Sequence, residues 1–428
     1  MTSELDKKIQ NLKEKVLSAR EATKQLAQAS ADQKNHFLLT LSVLLQDNCA
    51  QILAANTIDM QKAQANAMSQ AMQDRLLLTK QRVQSIATDV AHIANLADPI
   101  GEMFDGKTLA NGLQLYKKRV PLGVIAAIYE SRPNVTIDIS ALCIKAGNAV
   151  ILRGGKEAFN SNQILCELVS QAALSSNLPA ASAVFVDDTD RELVSHLLQM
   201  NNLIDLVIPR GNSSLINLVK SQSTIPVVAG GIGVCHIYID KEADLDMSVR
   251  IAYNAKVQRP TVCNAMDCLI IHQDVLNSHL PAIAEAWYKD GVEIRADQTA
   301  YAVLKAKSSL QLKEAVNEDY GTEFLALVAA VKTVSSLDEA LEHIDRFGSG
   351  HSEAIITNNY QNAQRFTNEV DAAVVYANAS TRFTDGAQFG LGAELGISTQ
   401  KMHARGPLGL KEITSYKWVV LGQGQARP

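Results

Sequence analysis

The sequence lacks the long apolar runs and the excess of positive charge that are typical of two large classes of protein. A membrane-spanning helix needs roughly 20 consecutive apolar residues, whereas the run Leu325–Val331 is typical of the longest here. The chain carries 40 basic and 45 acidic residues, for a net charge of −5. Because binding along a nucleic acid needs clustered positive charge, we expect neither a membrane protein nor a protein that coats nucleic acid.

Cysteine is also sparse. The six cysteines contain no CxxC pair, which argues against a zinc site of the usual spacing. Six thiols in 428 residues are too few for a disulfide scaffold. The first residues, MTSELDKKIQNLKEK, alternate in charge and show no apolar signal-peptide core. These features together predict a cytoplasmic protein with reduced thiols.

The remaining composition is that of a globular protein with more than one domain. Apolar residues make up 47% and charged residues 20%, with 23 glycines and 10 prolines, which excludes disordered and collagen-like chains. A length of 428 residues suggests two or three domains, with cores large enough to need no disulfide or metal.

Hydrophobic periodicity indicates an α/β protein. Residues 4–95 carry apolar side chains at helical spacing. Residues 107–119 contain an Asn111-Gly112 turn between alternating segments, which predicts a hairpin with one exposed face. From Val120 onward, short apolar strands alternate with helical segments, and this predicts parallel sheets covered on both faces. The predicted strands lie in GVIAAIYE, AVILRG, AVFVDD, DLVIPRG, PVVAGG, CLIIHQ, FLALVAAV, EAIITN, AAVVYAN and, leaving the core, ITSYKWVVLGQG.

Three familiar motifs do not apply. Gly101–Thr108 has the spacing of a phosphate-binding P-loop but precedes a predicted hairpin instead of a helix. The dinucleotide fingerprint GxGxxG is absent. His343, His351 and Glu353 are close in sequence but lack the HExxH spacing, so we expect no metal.

Two segments are more informative. The strand Val150–Leu152 runs into Arg153-Gly154-Gly155-Lys156, where glycines allow a ligand to approach the backbone and the cations favour phosphate. The alternative interpretation of the same residues is a turn whose charged side chains are solvated. In QRPTVCN, a loop after a predicted helix (244–256) places Cys263 before a strand. Cationic and polar neighbours favour the nucleophilic thiolate, although a buried structural cysteine, the role expected of Cys268, is the commoner fate.

Long segments of the chain resemble the γ-glutamyl phosphate reductase family, within the aldehyde dehydrogenase superfamily. The resemblance covers nearly the whole chain and implies an aldehyde dehydrogenase-like α/β fold. It implies a Rossmann-like NADP-binding domain (1–106 and 120–228), a catalytic domain (229–400) and a small β oligomerisation element (107–119 and 401–428). The matching segments are VPLGVIAAIYESRPNVTIDISALCIKAGNAVILRGGKEAFNSN, STIPVVAGGIGVCHIY, QRPTVCNA, ALEHIDRFGSGHSEAIIT, VYANASTRFTDGAQFGLGAELGISTQKMHARGP and residues 410–419.

The resemblance also implies a reaction and a set of site residues. L-Glutamyl 5-phosphate and NADPH would give L-glutamate 5-semialdehyde, NADP⁺ and phosphate, with Cys263 as nucleophile and Asn134 as an oxyanion donor. Val228 stands where hydrolytic relatives carry a general-base Glu, which fits an enzyme that does not activate water. The implied cofactor-binding residues are Arg153, Gly154, Gly155, Lys156, Pro209, Arg210, Gly211, Gly230, Gly231 and Glu323, and the implied substrate-binding residues are Asn378, Ser380, Thr381 and Arg382.

The expected partners are the small-molecule substrate, further copies of the chain in a dimer or tetramer, and a transient contact with glutamate 5-kinase, whose product is unstable. Three alternatives stay open at this point. They are a non-catalytic relative that has kept the fold, a CoA-acylating aldehyde dehydrogenase and a hydrolytic one. Intact Cys263 and Glu323 argue against the first alternative, Val228 argues against the hydrolytic one, and dependence on phosphate would separate the CoA-acylating one.

Overall fold

A computed structural model describes residues 4–307 and 309–427, and the chain divides into two compact units. Unit 1 contains Met1–Ala229, Gly390–Gly396 and Leu408–Pro428, and unit 2 contains Gly230–Phe389 and Ile397–Pro407. Both units combine helices with parallel sheet, so the predicted α/β class is confirmed.

The helices are α1 (Glu4–Leu26), α2 (Ala31–Asp47), α3 (Cys49–Ala65), α4 (Gln70–Leu76), α5 (Lys80–Ala94), α6 (Asn134–Lys145), α7 (Phe159–Ser175), α8 (Glu192–Leu197), α9 (Ser213–Gln222), α10 (Leu245–Val257), α11 (Gln273–Tyr288), α12 (Gln298–Leu304), α13 (Leu337–Phe347) and α14 (Tyr360–Glu369). The strands are β1 (Met103–Thr108), β2 (Gln114–Pro121), β3 (Val124–Tyr129), β4 (Ala149–Gly154), β5 (Ala183–Phe185), β6 (Leu206–Arg210), β7 (Cys235–Ile239), β8 (Met266–His272), β9 (Glu293–Ala296), β10 (Gln311–Glu314), β11 (Val328–Val334), β12 (Ser352–Ile356), β13 (Val374–Ala377), β14 (Ile397–Ser398), β15 (Gly406–Pro407) and β16 (Thr414–Leu421).

The core of unit 1 is a parallel sheet of order β5-β4-β3-β6. Every residue of β3 and β4 is buried, as expected for apolar strands with helices on both faces. One predicted strand is wrong: PVVAGG makes a single bridge, between Val207 and Val227, and forms no strand. Pro226 lacks the N–H that a ladder needs, and the glycines that follow weaken a strand.

A second, antiparallel sheet of unit 1 joins the predicted hairpin to the chain end, in the order β1-β2-β16. The hairpin turn contains Gly112 at φ 84°, a conformation that glycine adopts without strain. Because β1 occupies Met103–Thr108 and the next element is β2, the motif forms a hairpin strand where a P-loop would need a loop that leads into a helix, and the structure confirms that this motif does not apply.

Unit 2 is built on a seven-stranded parallel sheet of order β10-β9-β11-β8-β7-β12-β13. Its central strands β7, β8 and β12 are buried at every residue. The predicted strand FLALVAAV begins only at Val328, because Leu325 takes a left-handed φ of 51° and turns the chain before it. Among the described residues, no single helix is long and apolar enough to cross a membrane; α2 and α3 meet the criterion only as a pair bent by 69°.

Candidate active site

Cys263 lies in a turn that connects a helix to a central strand of unit 2. Helix α10 is capped at its start by the Asp244 side chain, which accepts from the Met247 N–H at 2.8 Å, and it ends at Val257. The turn closes where the Ala265 N–H donates to the Val262 carbonyl at 3.1 Å, and β8 begins at the next residue. The cysteine is therefore half-buried at the amino end of a rigid, buried strand.

The backbone of Cys263 packs directly against Gly233. A Cβ atom on Gly233 would lie 1.8 Å from the Cys263 carbonyl oxygen and 2.7 Å from its Cα, so a side chain is excluded at this position. The Gly233 N–H donates to Glu323 Oε1 at 3.0 Å, and the Cys235 thiol donates to the Cys263 carbonyl at 3.3 Å. Glu323, predicted from the resemblance, thus contacts the same glycine that packs against the nucleophile loop.

The residue after the nucleophile ties the turn to a second segment of unit 2. The Asn264 amide donates to the Thr384 carbonyl at 2.9 Å. The Thr381 hydroxyl donates to the Asn264 carbonyl at 2.8 Å. Asn264 and Thr381 are both buried, so these bonds fix the position of the loop with little access for water.

The four predicted substrate-binding residues have different surroundings. Asn378 pairs through both ends of its amide with the backbone of Thr357, at 2.9 Å each. Ser380 is buried and its hydroxyl accepts from the Arg382 N–H at 3.3 Å. The contacts of Asn378, Ser380 and Thr381 are made within the protein, whereas Arg382 borders an open cavity of about 210 Å³.

The electrostatic environment connects Arg382 with the nucleophile. Burial lowers the pKa of Arg382, and the neighbouring Arg259 lowers it further, while the negative charges of Cys263 and Asp385 act in the opposite direction. The guanidinium therefore lies within electrostatic range of the Cys263 side chain.

Four other cysteines are deeply buried and chemically quiet. Burial raises the pKa of the Cys143, Cys235 and Cys268 thiols and raises that of Cys166 to about 12. Cys268 lies inside β8 with its sulfur 3.6 Å from His343 Nε2, in the buried strand position predicted for it. Thiols of this kind stay protonated and are poor nucleophiles.

A buried polar cluster escaped the sequence analysis because sheet pairing brings together residues distant in the chain. Ligand-type atoms of His236, Cys268 and His343 lie within 4.8 Å of one another, and His236 pairs in register with Cys268 on one side and Glu353 on the other. Burial lowers the pKa of His236, but the Glu353 carboxylate, 3.1 Å from Nδ1, and the Cys268 sulfur together outweigh burial and raise it to about 10. With both side chains buried, this contact is a buried ion pair between His236 and Glu353.

In unit 1, the predicted cofactor residues meet at the carboxyl edge of the parallel sheet. Tyr129, at the end of β3, pairs with Gly154 of β4 and with Arg210 of β6. Segments 130–134, 153–156 and 209–211 therefore follow three adjacent strands. The chain order reverses between β3 and β6, and such a switch point is where open α/β sheets bind ligands.

Arg153 and Lys156 differ in accessibility. Arg153 is buried, and its guanidinium donates to the Thr189 carbonyl at 2.9 Å. Among the described residues its Nε has no hydrogen-bond partner, so a buried donor is available at this edge. Lys156 is exposed. A buried unused donor and an exposed cation beside Gly155 suit an anionic dinucleotide, so these residues fit the cofactor that the family implies.

The glycines of this edge are required by close packing. A Cβ on Gly154 would lie 2.1 Å from Asn162 Nδ2, and one on Gly211 would lie 2.8 Å from Glu130 Oε2. In unit 2, Gly230 and Gly231 precede β7 and lie against Ile397–Thr399, where a Cβ on either would come within 2.9 Å of an oxygen.

Asn134 is the first residue of α6. Its amide nitrogen donates to Asp138 Oδ2 at 2.8 Å. Desolvation raises the pKa of Asp138 to about 6. Because an amide nitrogen carries two hydrogens, this bond leaves Asn134 one further donor. Val228 is buried in unit 1 and offers no carboxylate.

Comparison with known proteins agrees with these features. The model of the aldehyde dehydrogenase family matches residues 5–320 and 317–419. The γ-glutamyl phosphate reductase of Dehalococcoides mccartyi is 59% identical over 99% of this chain and 100% of its own, and that of Photorhabdus laumondii is 48% identical over 96% and 98%. The crystal structure of the Thermotoga maritima γ-glutamyl phosphate reductase superposes with a TM-score of 0.94 at 42% identity, covering 97% of this chain and 100% of that one. The chain therefore belongs to the aldehyde dehydrogenase family and, within it, to the γ-glutamyl phosphate reductases, the oxidoreductases also called glutamate-5-semialdehyde dehydrogenases.

Proposed function

We propose that this chain reduces L-glutamyl 5-phosphate to L-glutamate 5-semialdehyde with NADPH and releases phosphate, the second step of proline biosynthesis. The observation that carries the proposal is the half-buried Cys263 on a loop fixed by Gly233, Asn264 and Thr381. The relatives at 48–59% identity carry the name of this reductase.

In the proposed reaction Cys263 is the nucleophile and forms a covalent intermediate with the substrate. Its thiolate attacks the acyl carbon, a C–S bond forms, and the C–O bond to phosphate breaks to give a thioester. NADPH, when bound, supplies the hydride that reduces this thioester. The resulting thiohemiacetal then loses the Cys263 thiolate, and the aldehyde leaves. Each tetrahedral species carries an oxyanion, for which the Cys263 backbone N–H and the second amide hydrogen of Asn134 are the proposed donors.

We propose cofactor-binding residues in each of the two units, as the family resemblance implies. In unit 1, Arg153 and Lys156 would bind the adenosine ribose and its 2′-phosphate, with Gly154, Gly155, Pro209, Arg210 and Gly211 along the sheet edge. In unit 2, the proposed cofactor-binding residues are Gly230, Gly231 and Glu323. The contact of Glu323 with Gly233 supports this placement, because it holds the carboxylate beside the glycine that packs against the nucleophile loop.

The proposed site lacks the base of a hydrolytic enzyme. A thioester survives until hydride transfer only if water is not activated against it. At the position where hydrolytic relatives carry a Glu, this chain has the buried, apolar Val228. This substitution favours transfer to and from phosphate over hydrolysis.

We further propose a cytoplasmic homo-oligomer, a dimer or tetramer, with unit 1 as the cofactor domain and the β1-β2-β16 sheet as the oligomerisation element. Strand β16 lies at the edge of its sheet and exposes about half of Trp418 and Val420. Exposed apolar edge strands pair readily with other chains. A transient contact with glutamate 5-kinase would protect the reactive acyl phosphate.

The test runs the reaction in reverse, from glutamate semialdehyde and NADP⁺ with and without phosphate, and follows the absorbance of the reduced nicotinamide. We expect phosphate-dependent reduction that is lost in Cys263→Ser and kept in Cys268→Ser. Reduction without phosphate would instead indicate a hydrolytic enzyme. Reduction that depends on CoA would indicate an acylating one, and folded protein without any signal would indicate a non-catalytic relative.

A further inference from the structure

The cavity beside Arg382 brings two opposite charges into one small space of unit 2. Its volume is about 210 Å³, and it is lined by Asn254, Gln258, Arg382, Phe383, Asp385 and Gln388. A cavity needs only about 10–15 Å³ to hold a water molecule. The cavity therefore has room for a group of several atoms, and its lining offers charged and amide side chains to bind that group.

Arg382 presents its fork of donors to this cavity. Its Nε donates to Gln258 Oε1 at 3.1 Å, which fixes the plane of the guanidinium and does not use the two terminal nitrogens. An oriented guanidinium binds carboxylates through two parallel hydrogen bonds. The side chain is half-buried, so such a pair would be stronger than one in open water.

Asp385 supplies the negative charge of the cavity. Its Oδ1 accepts from the Ala387 and Gln388 N–H groups at 3.0 and 3.2 Å, so this oxygen holds the turn in place. Neither bond needs Oδ2. A half-buried carboxylate with one oxygen anchored is well placed to bind an ammonium group with the other.

The cavity and the nucleophile share one scaffold. Gln258 begins the loop that carries Cys263, and Asn264 bonds to the backbone carbonyls of Arg382 and Thr384. A ligand in the cavity would therefore lie on the same short segments that fix the sulfur.

We propose that this cavity binds the α-amino acid end of the substrate, with Arg382 on the α-carboxylate and Asp385 on the α-ammonium group. The inference rests on the proposed function and adds to it the residue that selects for the amino group. It makes Asp385 a specificity-determining residue.

The test compares wild type, Asp385→Asn and Arg382→Gln on three aldehydes with NADP⁺ and phosphate. Glutamate semialdehyde carries both charged groups, 5-oxopentanoate lacks the amino group, and 4-aminobutanal lacks the carboxylate. Asparagine keeps an oxygen to hold the turn, so Asp385→Asn removes the charge alone. We expect it to raise KM for glutamate semialdehyde roughly 10- to 100-fold and to leave kcat/KM for 5-oxopentanoate unchanged. Arg382→Gln should lower the rate with 5-oxopentanoate and spare 4-aminobutanal.

Asp345→Asn is the matched control, since it removes an exposed carboxylate from the same unit and away from this cavity, and it should behave as wild type. Calorimetric binding of the charged analogues to the Cys263→Ser enzyme repeats the comparison without turnover. The inference would be overturned if the variants lost activity equally on all three aldehydes, or if they lost none. It would also be overturned if Arg382→Gln changed only the KM for phosphate. A wild-type enzyme that does not oxidise glutamate semialdehyde would instead refute the proposed function.

Discussion

Replacing Gly233 by alanine should disable the enzyme by displacing Cys263 without touching its side chain. The new Cβ would lie 1.8 Å from the Cys263 carbonyl oxygen, and real Cβ atoms do not come closer than 3.0 Å. Relieving the overlap requires a shift of about 1.2 Å, and the atoms that must move are backbone atoms of the nucleophile loop or of Gly233 itself.

A misplacement of about 1 Å can cost roughly 100-fold in rate, which corresponds to about 2.7 kcal/mol of lost transition-state stabilisation. We therefore expect kcat of Gly233→Ala to fall about 100-fold. Overpacking should lower the free energy of unfolding by about 1–3 kcal/mol, which leaves the protein folded. The assay is the reverse reaction with phosphate, together with the rate at which iodoacetamide labels Cys263.

Gly321→Ala is the control in the same unit, because a Cβ there would lie 3.6 Å from Phe347 Cδ1, an ordinary contact. It should retain the wild-type kcat. A Gly233→Ala enzyme with wild-type kcat and labelling rate would refute the reasoning, since it would show that the loop does not depend on this contact.

Four further results are expected. Lys156→Ala should raise KM for NADPH roughly tenfold with little change for NADH, measured as the ratio of kcat/KM values; equal changes for both cofactors would contradict a 2′-phosphate contact. Glu353→Gln should lower the free energy of unfolding by about 3–5 kcal/mol in urea titrations, because it leaves His236 buried without its charged partner. The free energy of unfolding of the wild type should fall as pH rises from about 6.5 to about 10, since folded His236 keeps a proton that the unfolded chain releases, and Glu353→Gln should flatten that slope. Trp418→Glu should lower the sedimenting mass, whereas Leu174→Glu, also at an exposed apolar position, should not.

The sequence predicts the strands best where they are fully buried. Strand β3 is a continuous apolar run, and β4 and β8 each contain a run of four apolar residues, so their positions follow from that pattern. The pattern fails at PVVAGG and at the start of FLALVAAV, because local backbone features decide there. Proline at 226 cannot donate to a ladder, and Leu325 adopts a left-handed conformation that composition does not reveal.

The sequence was less informative about which polar residues act together. A loop before a strand and a strand before glycines single out Cys263 and Arg153 as candidates, but only the resemblance to a family assigns them roles. The cluster of His236, Cys268 and Glu353 depends on the register of three strands, which spacing along the chain does not encode. Asp385 was missed for a similar reason: only the folded turn places its carboxylate beside Arg382.

The anchoring of the nucleophile loop has a consequence for how activity is gained during synthesis. The contacts that hold Cys263 and Asn264 come from residues 28 positions earlier and from 117 and 120 positions later in the chain. Contacts of such large sequence separation form late, because the entropy of closing each loop must be overcome first. A growing or refolding chain can pair β8 with the preceding β7 before the loop in front of β8 gains its later contacts. We therefore expect the loop that carries the thiol to become rigid only after residue 384 has joined the fold.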